Sequence, residues 1–281
     1  MRQTILVTGS TGLIGKELVK ALIEKNNNVV ALYHHTPPEQ TRGIVPVCHD
    51  LSIPGQDLKS PMRSAVTVIH LAWDFGVKPS QSSPSVNYKM LKNVYDAASE
   101  VGVKKIIFVS ALNASAYAVS PFLQEKYACE RLLTQSKKDL ERVIIRSPLL
   151  ECSDQHQINR SILNTMQFPG FYPVPQSKES LAIGLVQQVV RDICNALSPS
   201  TYKIQIQNVS ADYSTSVQDL FKKIATKGTK SGKLAIGGAV GNFIYDVAEK
   251  LNFKKTNNAP TARYFIEIGK EMSTRANDLP L

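Results

Sequence analysis

Cysteine is scarce in this chain and unpaired in spacing. Four of the 281 residues are cysteines, Cys48, Cys129, Cys152 and Cys194, and no two form a CxxC pair. Zinc sites and disulfide frameworks need paired spacing, so the thiols read as reduced, in a cytoplasmic protein. Long hydrophobic runs are also missing. None approaches the ~18 residues of a membrane span. The opening MRQTILVTG passes almost directly into an apolar strand, without the separate segment and cleavage site of a secretory signal. Carboxylates are few beside bases, 23 against 33, which leaves a formal net charge of +10. Much of the excess falls at Lys222, Lys223, Lys227, Lys230, Lys233, Lys254 and Lys255. No aromatics alternate with these lysines and no nucleic-acid module is recognisable. The excess therefore reads as a solvated basic face, suited to an anionic small ligand and not to nucleic acid.

What is present is an ordinary globular composition, 43% hydrophobic and 20% charged. Apolar runs at 3–8, 29–33, 44–47, 65–73, 104–111 and 142–147 alternate with helical patterns. Leu13, Ile14, Leu18, Leu22 and Ile23 form one apolar stripe, and Asn26 to Asn28 end that helix. A helix is predicted from about Val86 to Val101 with Gly102 as its cap, and another from about Pro121 to Ser136. The strand runs are continuous rather than alternating, as in strands buried on both faces. The fold class predicted is α/β: a doubly wound Rossmann parallel sheet with a smaller C-terminal substrate lobe. Residues 1–150 form the expected core, to which a helix over 181–197 and a strand over 201–208 return. Residues 151–180 and 209–281, including helices near 217–225 and 242–251, form the expected lobe.

Gly9, Gly12 and Gly15 lie between the first strand and the first helix. Glycines there allow a sharp turn, close approach of backbone to a pyrophosphate, and tight packing of helix on strand. The free amides and positive end of the helix then face the phosphates. The spacing alone is weak evidence, but the strand before it and the amphipathic helix after it make it strong. The second strand ends in ALYHHTPP, without the carboxylate that would bind the ribose hydroxyls of NAD. His34 and His35 stand there instead, so the cofactor expected is NADP in preference to NAD. Adjacent histidines at a strand end point apart and do not suggest a metal.

Several stretches together resemble the extended and atypical short-chain dehydrogenase/reductase superfamily, of the NAD-dependent epimerase/dehydratase type. They are TGSTGLIG, HDL around Asp50, VIHLAW, VNYKMLKNVYDAA with Asn87, GVKKIIFVSA, FLQEKYACERL and VIIRSP. The wording VSALNA is most similar to the atypical branch that holds NmrA-like proteins and complex I 39-kDa-type subunits. The resemblance implies that Gly9, Thr11, Gly12, Leu13, Ile14 and Gly15 hold the pyrophosphate. It sets Asp50 and Leu51 by the adenine, and Leu71 and Ala72 along the cofactor's path. Asn87 would support the active-site lysine, Lys126 would bond the nicotinamide ribose, and Pro148 would flank the nicotinamide. Trp73, Phe75, Phe122, Phe171 and Tyr172 are candidates to line a substrate pocket at the carboxyl edge of the sheet.

Two positions depart from the family pattern. The usual catalytic serine or threonine aligns with Ala111, one residue after Ser110. The usual tyrosine, four residues before the lysine, aligns with Phe122, which cannot carry a proton. Lys126, Ser110 and Tyr117 remain as catalytic candidates. Tyr127 is one residue out of phase, about 100° around the helix. The leading expectation is an NADP-dependent oxidoreductase or isomerase with non-standard chemistry. The alternative is a cofactor-binding protein without redox chemistry: a sensor, an assembly subunit or a cyclase-like enzyme. The partners expected are a small-molecule substrate, anionic as a sugar nucleotide is, and a second copy of the chain as a homodimer.

Overall fold

The apolar runs of the first 150 residues assemble into one parallel sheet. The computed structural model describes residues 2–53, 57–75, 85–151, 171–173, 180–228, 234–236, 267–268 and 270–272. In chain order the elements begin β1 (Thr4–Thr8), α1 (Leu13–Glu24), β2 (Asn28–Tyr33), β3 (Ile44–Cys48), α2 (Lys59–Met62) and β4 (Thr67–His70). There follow α3 (Val86–Glu100), β5 (Lys105–Ala111), α4 (Pro121–Thr134), β6 (Glu141–Ser147), β7 (Leu149–Leu150), β8 (Phe171–Pro173) and β9 (Ser180–Gly184). The last are α5 (Val186–Asn195), β10 (Ile204–Asn208), β11 (Tyr213–Ser216), α6 (Val217–Gly228) and β12 (Leu234–Ile236).

Seven strands pair in the order β10-β6-β5-β4-β1-β2-β3, every pair parallel. From β3 to β6 this is the doubly wound order, with the reversal between β1 and β4. Alternate residues of the central strands go to opposite faces. Leu6, Val30, Val68, Ile106, Phe108 and Ile144 pack with Leu91 and Val94 of α3 and Cys129 and Leu133 of α4. The opposite parity, Ile5, Val7, Val29, Ile107 and Ile145, is equally buried, and α1 and α5 pack together on that side. Both edges break the both-faces-buried pattern. β3 is largely exposed and carries Pro46, which an edge strand tolerates, and β10 is exposed along most of its length.

Contacts divide the chain into two units. One comprises Met1–Asp74, Lys78–Ser147 and Leu185–Ser210, the other Phe75–Val77, Pro148–Gly184 and Ala211–Leu281. In the second unit β11, β9 and β7 form a small sheet, and β12 pairs with β8. Lys223 bridges Glu151 at 2.6 Å and Tyr213 at 3.5 Å there.

Three local expectations need correction or comment. The helix expected over 181–197 spans only Val186–Asn195, because Ser180–Gly184 is β9, paired antiparallel with β11. LAIG is a short apolar run that fits either element, and periodicity does not separate the two. Gly184 also lies against Pro148, so closely that an added Cβ would come 2.5 Å from Pro148 Cγ. The run 65–73 is a strand only over Thr67–His70, which leaves Leu71 to Trp73 as a loop at its end. Asn26 and Gly102 both take positive φ, 62° and 79°, where α1 and α3 end. Cys152 and the helix expected near 242–251 lie outside the described residues.

Glu130 of α4 is buried and receives two bonds from Arg146 of β6, Nε to Oε1 at 2.9 Å and Nη2 to Oε2 at 2.6 Å. Removing one partner of a buried pair strands the other charge. Glu130→Ala is therefore expected to cost ~3 kcal/mol in urea unfolding. A loss below ~1 kcal/mol would show that Arg146 finds water instead.

Candidate cofactor site

Gly9 takes φ 64°, and a Cβ there would come within 2.7 Å of the Ala72 nitrogen. Gly9 O accepts from the Gly12 N–H at 3.0 Å. A Cβ on Gly15 would overlap that same carbonyl, so Gly15 serves the packing of helix on loop. Ser10 fastens the loop to β2 through its hydroxyl, which donates to Leu32 O at 2.8 Å. Leu13 and Ile14 open α1. That helix has no side-chain cap and no acid in its first turn, so its amides are open to an anion. A loop in which Gly9 and Gly15 leave no room for a side chain, at an uncapped helix start, fits a pyrophosphate.

Thr8 joins this loop to the neighbouring strand end. Its Oγ1 accepts from the Leu71 and Ala72 amides, each at 3.2 Å, and lies 3.0 Å from His70 Nδ1. With both lone pairs engaged, the hydroxyl proton goes to Nδ1, so His70 is neutral and carries its proton on Nε2. Burial, and then the charge of Lys126, push the His70 imidazole down to about 3.

A cleft of about 480 Å³ runs along the carboxyl ends of β1, β2 and β3. Gly9, Thr11, His34, Asp50, Leu51, Ala72 and Trp73 all line it, with His35, His49, Ser52, Val86 and Met90. His34 and His35 stack with centroids 3.7 Å apart, and His34 Nε2 is 3.5 Å from Asp50 Oδ2. Asp50 Oδ1 accepts from the Ser52 hydroxyl at 2.6 Å and the Ser52 amide at 2.9 Å. Those two bonds hold the carboxyl below its usual range. Asn93 of α3 steadies this wall by donating to Leu51 O at 3.0 Å.

Lys126 does not line the cleft. It is 7% exposed, and its Nζ donates to Val109 O at 2.9 Å. The Trp73 ring covers Nζ at 3.6 Å, with Phe108 at 5.0 Å and Phe122 at 5.6 Å. Trp73 meets Phe122 edge-on at 5.6 Å. Burial lowers the lysine to about 8. Asn87 is buried and clamps the Trp73 loop: it accepts from the Asp74 amide at 2.6 Å and donates to Asp74 O at 2.9 Å. Its link to Lys126 is therefore indirect, through Trp73.

The other candidates are dispersed. Ser110 is buried with no partner for its Oγ, Ala111 is buried, and Tyr117 is 89% exposed. Tyr127 lines a separate hollow with Tyr88, Gln124 and Arg131. Phe75 and Pro148 belong to the second unit, as do Phe171 and Tyr172, whose backbone forms β8. Reading for motifs missed Thr8, His49, Ser52 and Asn93 as working residues. His49 and Ser52 flank Asp50-Leu51, and that adjacency was the available signal. Among the described residues, no group of three or more histidines, cysteines or acids is placed to hold a metal, and no helix is long and apolar enough to cross a membrane.

The NAD dependent epimerase/dehydratase family model matches residues 5–181, well over half of the chain. The chain belongs to that family. A UDP-glucose 4-epimerase of Vibrio cholerae is 25% identical over 252 residues, 80% of this chain and 76% of that protein. The photosystem II assembly factor Ycf39 of Cyanophora paradoxa is 29% identical over 143 residues, 47% of this chain and 42% of the factor. The structure of UDP-glucuronic acid 4-epimerase from Bacillus cereus, in complex with UDP-glucuronic acid and NAD, superposes with TM-score 0.65 at 18% identity. It covers 99% of this chain and 100% of that one. At that identity the likeness is one of fold. This chain carries Gly9, Gly12 and Gly15 after β1, and Lys126 with Phe122 four residues before it.

The buried neutral His70 makes acid stability testable. A folded pKa near 3, below the ordinary 6.5, stabilises the fold above pH 6.5 and loses that contribution as pH falls. The expected slope is up to ~1.4 kcal/mol per pH unit below 6.5. His70→Gln should flatten it in unfolding curves between pH 4 and 7. An unchanged slope would move the proton uptake to other groups.

Proposed function

We propose that the chain binds NADP, ahead of NAD, in the cleft between the glycine loop and the end of β3, and holds it without the proton relay of a reductase. The observation that carries this reading is the state of Lys126. It is buried, bonded to Val109 O and covered by Trp73, and the residue four before it is Phe122. A bound nicotinamide supplies hydride transfer, and the chain must then move a proton. Ser110 is buried and Tyr117 is almost wholly exposed. NADP is favoured because β2 ends at Tyr33 and is followed by His34 and His35, two imidazoles where an NAD site carries its own acid. A role in sensing or assembly follows, and the similarity to an assembly factor supports it. The second unit, with Phe75, Pro148, Phe171 and Tyr172, is assigned as the substrate or partner lobe.

A second reading rests on a different observation. An amine lowered to about 8 is matched to proton transfer near neutral pH, so Lys126 itself would be the acid and base of an isomerase. The epimerase relative, matching 80% of this chain, supports a sugar nucleotide as its substrate.

Trp73 is the only tryptophan and lines the cleft, so its fluorescence reports binding. Titration with NADPH, NADP+, NADH and NAD+ is expected to give saturable quenching, tightest for the NADP pair and lost in Gly15→Ala. Equal or tighter binding of the NAD pair would overturn the cofactor preference. Incubation of a panel of nucleotide sugars with NADPH, and separately with NADP+, should give no change in the nicotinamide redox state and no epimer. Turnover by the wild type would reject the non-redox reading, and its loss in Lys126→Met would install the lysine mechanism.

A further inference from the structure

A dinucleotide that lies over β2 and β1 must next cross the end of β4. The strands run in the order β5, β4, β1, β2, β3, and dinucleotides straddle the point where such an order reverses. On the β2 side the cleft is open, lined by Thr11, His34, Asp50 and Leu51, with the uncapped start of α1 free to take a pyrophosphate. On the β4 side it is walled by Ala72, Trp73 and Asp74, the loop that follows that strand. Ser110 and Ala111 of β5 and Phe122 and Lys126 of α4 are buried, and none of the four lines the cleft.

The indole of Trp73 is what closes this side. Its centroid lies 3.6 Å from Lys126 Nζ, and Phe122 meets it edge-on at 5.6 Å with the rings inclined by 75°. Asn87 holds the backbone of the next residue, Asp74, in both directions, at 2.6 Å and 2.9 Å. Lys126 is turned away from the cleft, to Val109 O at 2.9 Å. Swinging the indole aside would break the cation–π contact and bare one face of a buried ammonium.

We infer that Trp73 closes the second half of the dinucleotide site, so that the chain recognises 2′-phosphoadenosine diphosphate and gains nothing from a nicotinamide nucleoside attached to it. The inference rests on the nucleotide-binding reading of the cleft and narrows it: NADP is held by one half. The ligand class is then any nucleotide that carries the 2′-phosphoadenosine diphosphate group, whatever its other end. A cofactor held in this way has no proton relay, because its reacting ring does not reach Lys126.

The test is a calorimetric titration of the whole protein, because replacing Trp73 removes the only tryptophan. The probes are NADP+, 2′-phospho-ADP, which stops at the pyrophosphate, and nicotinamide mononucleotide. Wild type is expected to bind NADP+ and 2′-phospho-ADP within ~3-fold of each other, because the nicotinamide half makes no bond. Nicotinamide mononucleotide should compete with neither. Trp73→Ala should tighten NADP+ ~10-fold and leave 2′-phospho-ADP unchanged, as one new bond to the uncovered lysine implies. Trp73→Phe, which keeps a ring over Lys126, should stay near wild type. The wild-type comparison needs no substitution and stands even if a variant fails to fold. Wild type that binds NADP+ ~10-fold or more tightly than 2′-phospho-ADP overturns the inference and leaves the nucleotide reading standing. So does a folded Trp73→Ala variant that still binds the two alike. Wild type that binds neither overturns the nucleotide reading itself, and this inference with it.

Discussion

The hydroxyl of Thr8 ties together the ends of β1 and β4, and the site is built outward from that tie. By accepting from the amides of Leu71 and Ala72 it draws the loop after β4 onto the loop after β1. Gly9 and Ala72 then touch so closely that a side chain on Gly9 has no room. This is the point in the sheet where the strand order reverses, where the ends of neighbouring strands diverge and a crevice opens. His70 completes the arrangement as a neutral acceptor. A protonated ring would have no lone pair for Thr8 and would lie buried near Lys126.

The same loop governs the lysine. Asn87 grips the backbone of Asp74 in both directions, which orients Trp73, and Trp73 covers Lys126. Phe108 and Phe122 complete an aromatic surround. Cation–π attraction partly replaces lost hydration, yet burial still lowers the amine. Trp73 belongs both to the cleft and to the lysine's cover, so the two places are mechanically one.

Much of the fold was legible because its signals are local. Six continuous apolar runs separated by helical stripes announce a doubly wound sheet, and the pairing order bears this out. The errors fall where local signals are ambiguous. LAIG fits a strand or a helix, and β11 is the partner that makes it a strand. The glycine loop, His34, Asp50, Leu51, Ala72 and Trp73 converge on one cleft, while Ser110, Tyr117 and Lys126 do not join them. Sequence motifs say which residue types share a strand end but not which way each side chain leaves it. Lys126 turned inward to Val109 is a matter of that kind.

By itself the sequence determined the parallel sheet, the glycine cradle, and the absence of a tyrosine four residues before Lys126. These follow from periodicity, from the steric demand for glycine, and from plain residue identity. Only the tertiary structure decided that Thr8 and His70 brace the crevice and that Trp73 seals the lysine. Those are relations between residues tens of positions apart. Hydrogen bonding and burial are properties of the packed neighbourhood, and that neighbourhood exists only once the strands are side by side.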